Sequence, residues 1–558
     1  MKSNYLLLVL TLLIGIACSK EELSVPLNPY DDANRDFEVF FAQTHVMHPD
    51  DERFKLVSNK EALLKAQITE EASTPAIAVL NLNGNQLTIE LDPPTNAPEV
   101  IDLRPGQVDH NYEDSYTAII PKEWVKPGLQ ITVESGTQSV DLVDLTIGAP
   151  NKIIMTLFDA HFFVNSPGDY PTGWKEELEA KWPATSIELI RVPNVLFQEL
   201  TVPPRRDANA IAARVSSREE YQTITGASFD GEQATAAQWN RALKAAAGTK
   251  GRVSLFYTNI YGVPSGGQAG GFAGVGNGNN IGILHHELGH AFALPHWGNN
   301  QQYPYKGDMH GIAAPDNFNK THAGPVWAFD LPSKKFIPPT VQPNAVGGTP
   351  GVYKQDPMQG GGQGDQEEGF LLRHFSDYSV AQMQQYLENH IVIWNESLGS
   401  YASWDHSTGD YTQIISNNGV DYANERNVDV ISIMAGVSAV TPQATIVYPP
   451  IGPYRSGLID LFDPTLEADR QRAGNVYCPD GGCDVSVRIT QGGLVKTYML
   501  PMALDNSADP LDGNSFQTRA INLRASDGLV IQIELLATPD AEQNGLPTNP
   551  TVLRSWNP

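Results

Sequence analysis

The chain has 558 residues, with 64 acidic side chains against 37 basic ones and a formal net charge of -27. That excess of carboxylates argues against binding to nucleic acid or to an anionic membrane surface, because polyphosphate recognition rests on clustered Lys and Arg. At this length two to four domains are expected.

The N-terminus reads as an export signal. Lys2 gives a charged start, Tyr5 to Ile16 form an apolar run, and small Ala17 stands directly before Cys18. Residues 1–17 are therefore expected to be a lipoprotein signal peptide rather than a membrane span, with Cys18 as the lipidated residue. Ordinary cleavage after Ala17, leaving Cys18 as a thiol, is the alternative. The following Ser19-Lys20-Glu21-Glu22 resembles the Lys-acidic tether that sends some lipoproteins to the outer face of the outer membrane; its other reading is a short solvated linker. No later stretch is apolar for long enough to cross a bilayer. The expectation is an exported lipoprotein of the outer membrane, at the cell surface, that touches the membrane only through its lipid.

Residues 18–35 are polar and contain Pro, Asn and Asp, as a tether requires. From 36 to 150, short alternating segments such as Ala76-Ile77-Ala78-Val79-Leu80 and Leu129-Gln130-Ile131-Thr132-Val133 lie between Pro, Gly and Asn turns, which predicts a β-rich domain. From 151 to 400, the buried-strand pattern of Lys152 to Phe158 mixes with helical patterns at Gly173 to Trp182 and Ala236 to Ala247, which predicts a mixed α and β catalytic unit. Residues 401–440 are read as a linker or an extension of that unit. From 441 to 558, strand-like runs at Val485 to Ile489 and Leu529 to Leu536 among Gly and Pro predict a β-sandwich. Here Cys478 and Cys483 flank Pro479-Asp480-Gly481-Gly482 and are expected to close a small disulfide loop. The whole is a multidomain α+β chain: a zincin-type catalytic domain between a β-rich N-terminal domain and a C-terminal sandwich.

The chemistry is concentrated in Ile283-Leu284-His285-His286-Glu287-Leu288-Gly289-His290-Ala291-Phe292-Ala293-Leu294-Pro295-His296-Trp297. On a helix His286 and His290, four apart, present two imidazoles to one ion. Leu284, Leu288, Ala291 and Phe292 cluster on another side as a face to bury. Glu287 falls beside the ion as a general base for zinc-bound water, not as a ligand. His296, six residues beyond His290, has the spacing of a third imidazole supplied after the helix ends, as in metzincin proteases. Three nitrogen donors leave one Zn²⁺ ion a position open for hydrolysis. The metzincin pattern usually places Gly where this chain has Ala293; Pro295 can still stop the helix. His285 points away from the metal in this register.

Upstream, the Gly-rich Ser265 to Gly274 suits a strand edge or rim that approaches substrate backbone closely. Downstream, Asp356-Pro357-Met358-Gln359-Gly360-Gly361-Gly362 can place a Met in a tight turn; metzincins have a Met under the three histidines as an apolar floor, so Met358 is the candidate for it, with an ordinary buried Met as the alternative. Tyr378 is a candidate oxyanion stabiliser. Trp297 and Trp327 are candidates for stacking on sugar, with packing roles as the alternative.

Together these motifs resemble the StcE/TagA-like family of secreted zinc metalloproteases that cleave mucins. The likeness extends to Tyr116-Thr117-Ala118-Ile119-Ile120-Pro121 with Trp124 to Leu129, Tyr305-Lys306-Gly307-Asp308-Met309-His310, Trp327-Ala328-Phe329-Asp330 with Lys335 to Pro338, and Asp356 to Gly361. It spans about residues 100 to 410. The resemblance implies a metzincin-type zinc endopeptidase acting on O-glycosylated proteins, with His286, His290 and His296 as ligands and Glu287 as base. Two other readings stay open: a zinc protease with general protein substrates, and a glycan-binding surface lipoprotein without turnover.

Overall fold

The computed structural model describes residues 37–558 apart from 69–74, 102–114, 167, 226–229, 250–251, 264–265, 279, 343–348, 360–368, 415–416 and 480–481. Cys18 and the tether lie outside the described residues. The fold is multidomain and mostly β, with seven α-helices among the described residues. None of these helices is long and apolar enough to cross a membrane.

The N-terminal part consists of two four-stranded antiparallel sheets around a shared core. In the strand Ile77–Leu82 burial alternates, so Ala78, Leu80 and Leu82 enter the core while the intervening residues are only partly covered. Lys65, on the strand Ala62–Ile68, departs from that logic. It is fully buried, its Nζ has no hydrogen-bond partner, and the nitrogen sits 5.1 Å from the centroid of the Phe40 ring. Burial pushes its pKa down to about 7, and Glu38 offsets this only in part. The unfolded chain therefore binds more protons than the native one between about pH 7 and the ordinary lysine value of 10.5. Stability from this group is present above pH 10.5 and is lost as pH falls towards 7, on the order of 1 kcal/mol per pH unit. The Lys65→Met variant is expected to exceed the parent in urea stability at pH 7, with the gap narrowing at pH 9. A gap independent of pH sinks this account.

The central part is built on a five-stranded sheet in the order Ser186–Phe197, Lys152–Phe162, Leu255–Tyr261, Ala273–Asn277, Gly267–Ala269. The first four strands are parallel and the last is antiparallel at the edge. Both faces are covered, which explains the near-continuous apolar runs of the inner strands. Ile153, Met155 and Leu157 point into one core, with the helices Trp174–Lys181, Ile281–Ala291 and Asp377–His390. Phe158, Ala160 and Phe162 point into the other, with the helix Asp230–Ala246, whose Ala236, Trp239 and Leu243 are buried there.

That second core also takes Val430, Met434, Tyr448 and Tyr454 from the C-terminal part, which thus packs directly on the Asp230–Ala246 helix. Two four-stranded sheets there enclose another core, with Ile433 and Ile521 from one and Val487 and Ile533 from the other. The long strand Glu425–Val437 pairs with both Ile451–Leu458 and Gln517–Arg524. It lies in the segment 401–440, read from sequence as a linker or an extension of the catalytic unit, and its pairing ties that segment to strands beyond residue 441. The preceding segment forms a separate three-stranded meander of Val392–Asn395, Ser400–Asp405 and Asp410–Gln413.

The N-terminal and central parts are also interleaved. Glu99–Val100 pairs in parallel with Lys335–Phe336, and Phe40, Val46 and Leu63 share a core with Trp327, Phe329, Phe336 and Tyr353. Arg53 donates to the Tyr305 hydroxyl at 2.7 Å, and its guanidinium lies 3.3 Å from the Asp377 carboxylate at the start of the Asp377–His390 helix. Several motifs along the chain therefore hold this junction rather than the reaction site.

Candidate metal centre

The helix Ile281–Ala291 follows the strand Ala273–Asn277 after a short turn, and the Asn280 side chain caps it by accepting from Ile283 N. Leu284, Leu288 and Ala291 are buried, with Phe292 beside them, which fixes the rotation of the helix and hence the direction of His286 and His290. The helix ends with Ala293 N donating to His290 O and Leu294 N donating to Gly289 O, the paired bonds of a Schellman motif. That motif needs a left-handed residue at its apex, and Ala293 takes it, at φ +69°. The turn keeps the shape glycine would give, at a cost of about 1 to 2 kcal/mol for the alanine Cβ. Proline at 295 then carries the chain back so that His296 faces the helix.

The three imidazoles converge. His286 Nε2 and His290 Nε2 each lie 3.1 Å from His296 Nε2. Four-coordinate zinc with bonds of about 2.0 to 2.1 Å places neighbouring nitrogens about 3.3 Å apart, so the spacing fits one small ion. Second nitrogens are held elsewhere: His286 Nδ1 donates to Pro357 O at 2.8 Å and His290 Nδ1 to Leu294 O at 2.6 Å. These bonds leave Nε2 as the lone-pair nitrogen on both rings. Burial, added to by the two neighbouring imidazoles, holds His286 at about 4, and burial lowers His290 as well. Both rings are thus neutral, as a metal ligand must be.

Glu287 is buried, its Oε2 has no hydrogen-bond partner, and burial pushes its carboxyl up to about 7. An orphaned carboxylate oxygen beside three convergent imidazoles suits a proton-transfer role, and the donor set fits a divalent metal. The edge strand sets the carboxylate's position. A Cβ built on Gly267 would meet Glu287 Oε1 at 2.3 Å and Cδ at 2.4 Å, so the strand passes over the glutamate with no room for a side chain.

Met358 is fully buried, and its sulfur lies where a Cβ on Gly289 would be, at 2.4 Å. It therefore packs against the helix between His286 and His290. Asp356, given no separate role by the sequence reading, organises this turn. Its Oδ1 accepts from Met358 N at 2.8 Å, while its Oδ2 accepts from Ser376 N and Ser379 Oγ. The same turn presents the Pro357 carbonyl to His286. Residues 360–362 of this motif lie outside the described residues.

Other expected contacts are placed differently. Trp297 is 3 % exposed, stacks on Tyr303 at 4.7 Å and donates to Ser379 Oγ; Trp327 is 4 % exposed in the junction core. Both are therefore packing residues and offer no face to sugar, because their rings are spent on neighbours. Tyr378 is half-buried, edge-on to Trp297 and Tyr303, and its hydroxyl makes no hydrogen bond among the described residues. His285 is buried between Trp182 and Phe375 and bonds Arg373 O. Cys478 and Cys483 form a disulfide with Cα atoms 5.3 Å apart. Glu542 lies beside them and accepts from Cys483 N, but sulfurs bonded to each other are not thiolate ligands.

Comparison with known proteins agrees with this geometry. A family profile described as Peptidase M66 matches residues 107–392. The chain is 29 % identical to dictomallein of Burkholderia mallei over 93 % of its own length and 83 % of the relative's, and equally so to dictomallein of Burkholderia pseudomallei. It is 28 % identical to dictomallein-2 of Dictyostelium discoideum, over 93 % and 95 % of the two chains.

Proposed function

The chain belongs to the peptidase M66 family, and from that membership and the histidine geometry we propose that it is a zinc-dependent endopeptidase acting on extracellular O-glycosylated, mucin-type proteins. The observation that carries the reading is the convergence of three imidazoles, with His286 Nε2 and His290 Nε2 each 3.1 Å from His296 Nε2, beside a Glu287 carboxylate whose Oε2 has no hydrogen-bond partner. His286, His290 and His296 would hold one zinc ion. When bound, the ion supplies Lewis acidity, acidifying water and polarising a carbonyl oxygen.

This chain's own groups do the rest. Glu287 takes a proton from the attacking water as oxygen adds to the scissile carbonyl carbon, then delivers it to the amide nitrogen as the C–N bond breaks. A carboxyl held near neutrality is suited to both transfers. The edge strand Gly267–Ala269 pairs with Ala273–Asn277 on one side only among the described residues. An extended substrate can add there as a further strand, which places its backbone across Glu287. Met358 and the Pro357 carbonyl keep the imidazoles in place beneath.

The glycoprotein substrate rests on the resemblance of the separated motifs to mucin-cleaving enzymes, and the cell-surface location rests on the signal peptide, Cys18 and the charged tether. The test is cleavage of a purified mucin-domain glycoprotein before and after enzymatic removal of its O-glycans. Cutting lost with the glycans is the expected result. Equal cutting of both forms means general protein substrates, and glycan binding without cutting means a binding protein.

A further inference from the structure

A cavity of about 630 Å³ lies between the edge strand and the Asp230–Ala246 helix, within the size range of small-ligand sites. Its walls come from the Asp230–Ala246 helix, from the strand and turn Gln268 to Gly271, and from the C-terminal part, including Tyr477 and Arg519. Its charge runs against that of the molecule. Arg241, Lys244 and Arg519 line it with a single acidic residue, Asp421, in a chain whose acids outnumber its bases 64 to 37.

None of the three cations forms an ion pair among the described residues. Lys244 Nζ donates to Gly271 O at 2.9 Å, and Arg519 donates to Pro501 O at 2.9 Å and Thr518 O at 3.0 Å. These carbonyl bonds hold the cations in place without neutralising them. Arg241 makes no hydrogen bond among the described residues. Arg241 is exposed, while Lys244 and Arg519 are half-buried; burial lowers Lys244 to about 8, and Arg519 is lowered by burial and by the neighbouring Arg241. Three cations gathered with one carboxylate among them are what an anionic ligand would relieve.

Resting on the glycoprotein reading of the active site, we propose that this cavity binds an acidic sugar of the substrate's glycans. Its carboxylate group pairs with Arg241, Lys244 and Arg519, and its ring lies against the apolar wall that includes Ile459 and Tyr477. The sugar fits the location better than a free anion does. Gln268 to Gly271 belong both to this wall and to the strand and turn that border the active site, so a glycan on a peptide bound along that strand has a short path to it.

The test is calorimetric titration of the zinc-loaded full chain with 3′-sialyllactose, lactose and sodium sulfate. Sialyllactose is expected to bind, lactose to bind at least 10-fold more weakly, and sulfate to compete only weakly. Arg241→Glu is expected to weaken sialyllactose by at least 10-fold, and Arg241→Lys to recover part of the loss. As Arg241 makes no hydrogen bond or ion pair among the described residues, these variants should keep the parent's circular dichroism. Equal binding of lactose, sulfate competing as strongly as the sugar, no binding at all, or an unaffected Arg241→Glu each overturns the proposal. Because this readout needs no turnover, binding that follows Arg241 while no glycoprotein is cut would reject the peptidase substrate and keep the cavity. Glycan-dependent cutting without such binding would do the reverse.

Discussion

Glu287→Gln is expected to lower kcat on glycoprotein by a factor on the order of 10² to 10⁴, the usual contribution of a positioned general base, while zinc content stays at the parent level. The amide keeps the shape of the carboxyl but cannot take a proton from water. The proposed ligand atoms belong to His286, His290 and His296, and the second nitrogens of His286 and His290 are fixed by Pro357 O and Leu294 O, neither of which involves Glu287. Turnover and metal binding should therefore separate. Zinc lost in step with activity would instead make Glu287 a ligand or a structural support.

Gly267→Ala should reduce kcat by about 10² or more, although residue 267 carries no chemistry. The new methyl would fall 2.3 to 2.4 Å from the Glu287 carboxylate, so either the strand or the glutamate has to move. Displacing a reacting group by about 1 Å commonly costs about 10² in rate. The variant should keep its zinc and its thermal transition close to the parent's. Activity within a few-fold of the parent would mean that the carboxylate tolerates the methyl and that the close approach of the strand is incidental.

The metal helix is legible in the sequence because its signal is local. Four-residue spacing, a buried face from Leu284, Leu288 and Ala291, and a third histidine just past a Pro-marked stop all lie within one short segment. The turn around Met358 is legible for the same reason. What could not be read is what the sheet brings together. Gly267 meets Glu287 because an antiparallel edge strand returns over the helix, a contact between residues 20 positions apart that no periodicity encodes. The value of Asp356 depends on Ser376 and Ser379, which reach it through the Asp377–His390 helix. Trp297 and Trp327 illustrate the opposite difficulty: an indole has the same composition whether it faces sugar or core, and only packing decides. The strand Glu425–Val437 was hidden by its alternating polar start, Glu425 to Asp429, before the buried run from Val430. The basic cavity is assembled from residues 241, 244 and 519 and is invisible to any local reading.

The account turns on one ion at three histidines. Its most direct test is to strip the chain with a chelator, dialyse the chelator away, and follow zinc content and glycoprotein cleavage together as zinc is returned. Cleavage that disappears on stripping and recovers in proportion to zinc, reaching its limit at one ion per chain, is the predicted result. Cleavage that survives in a chain shown to be free of metal would contradict the account.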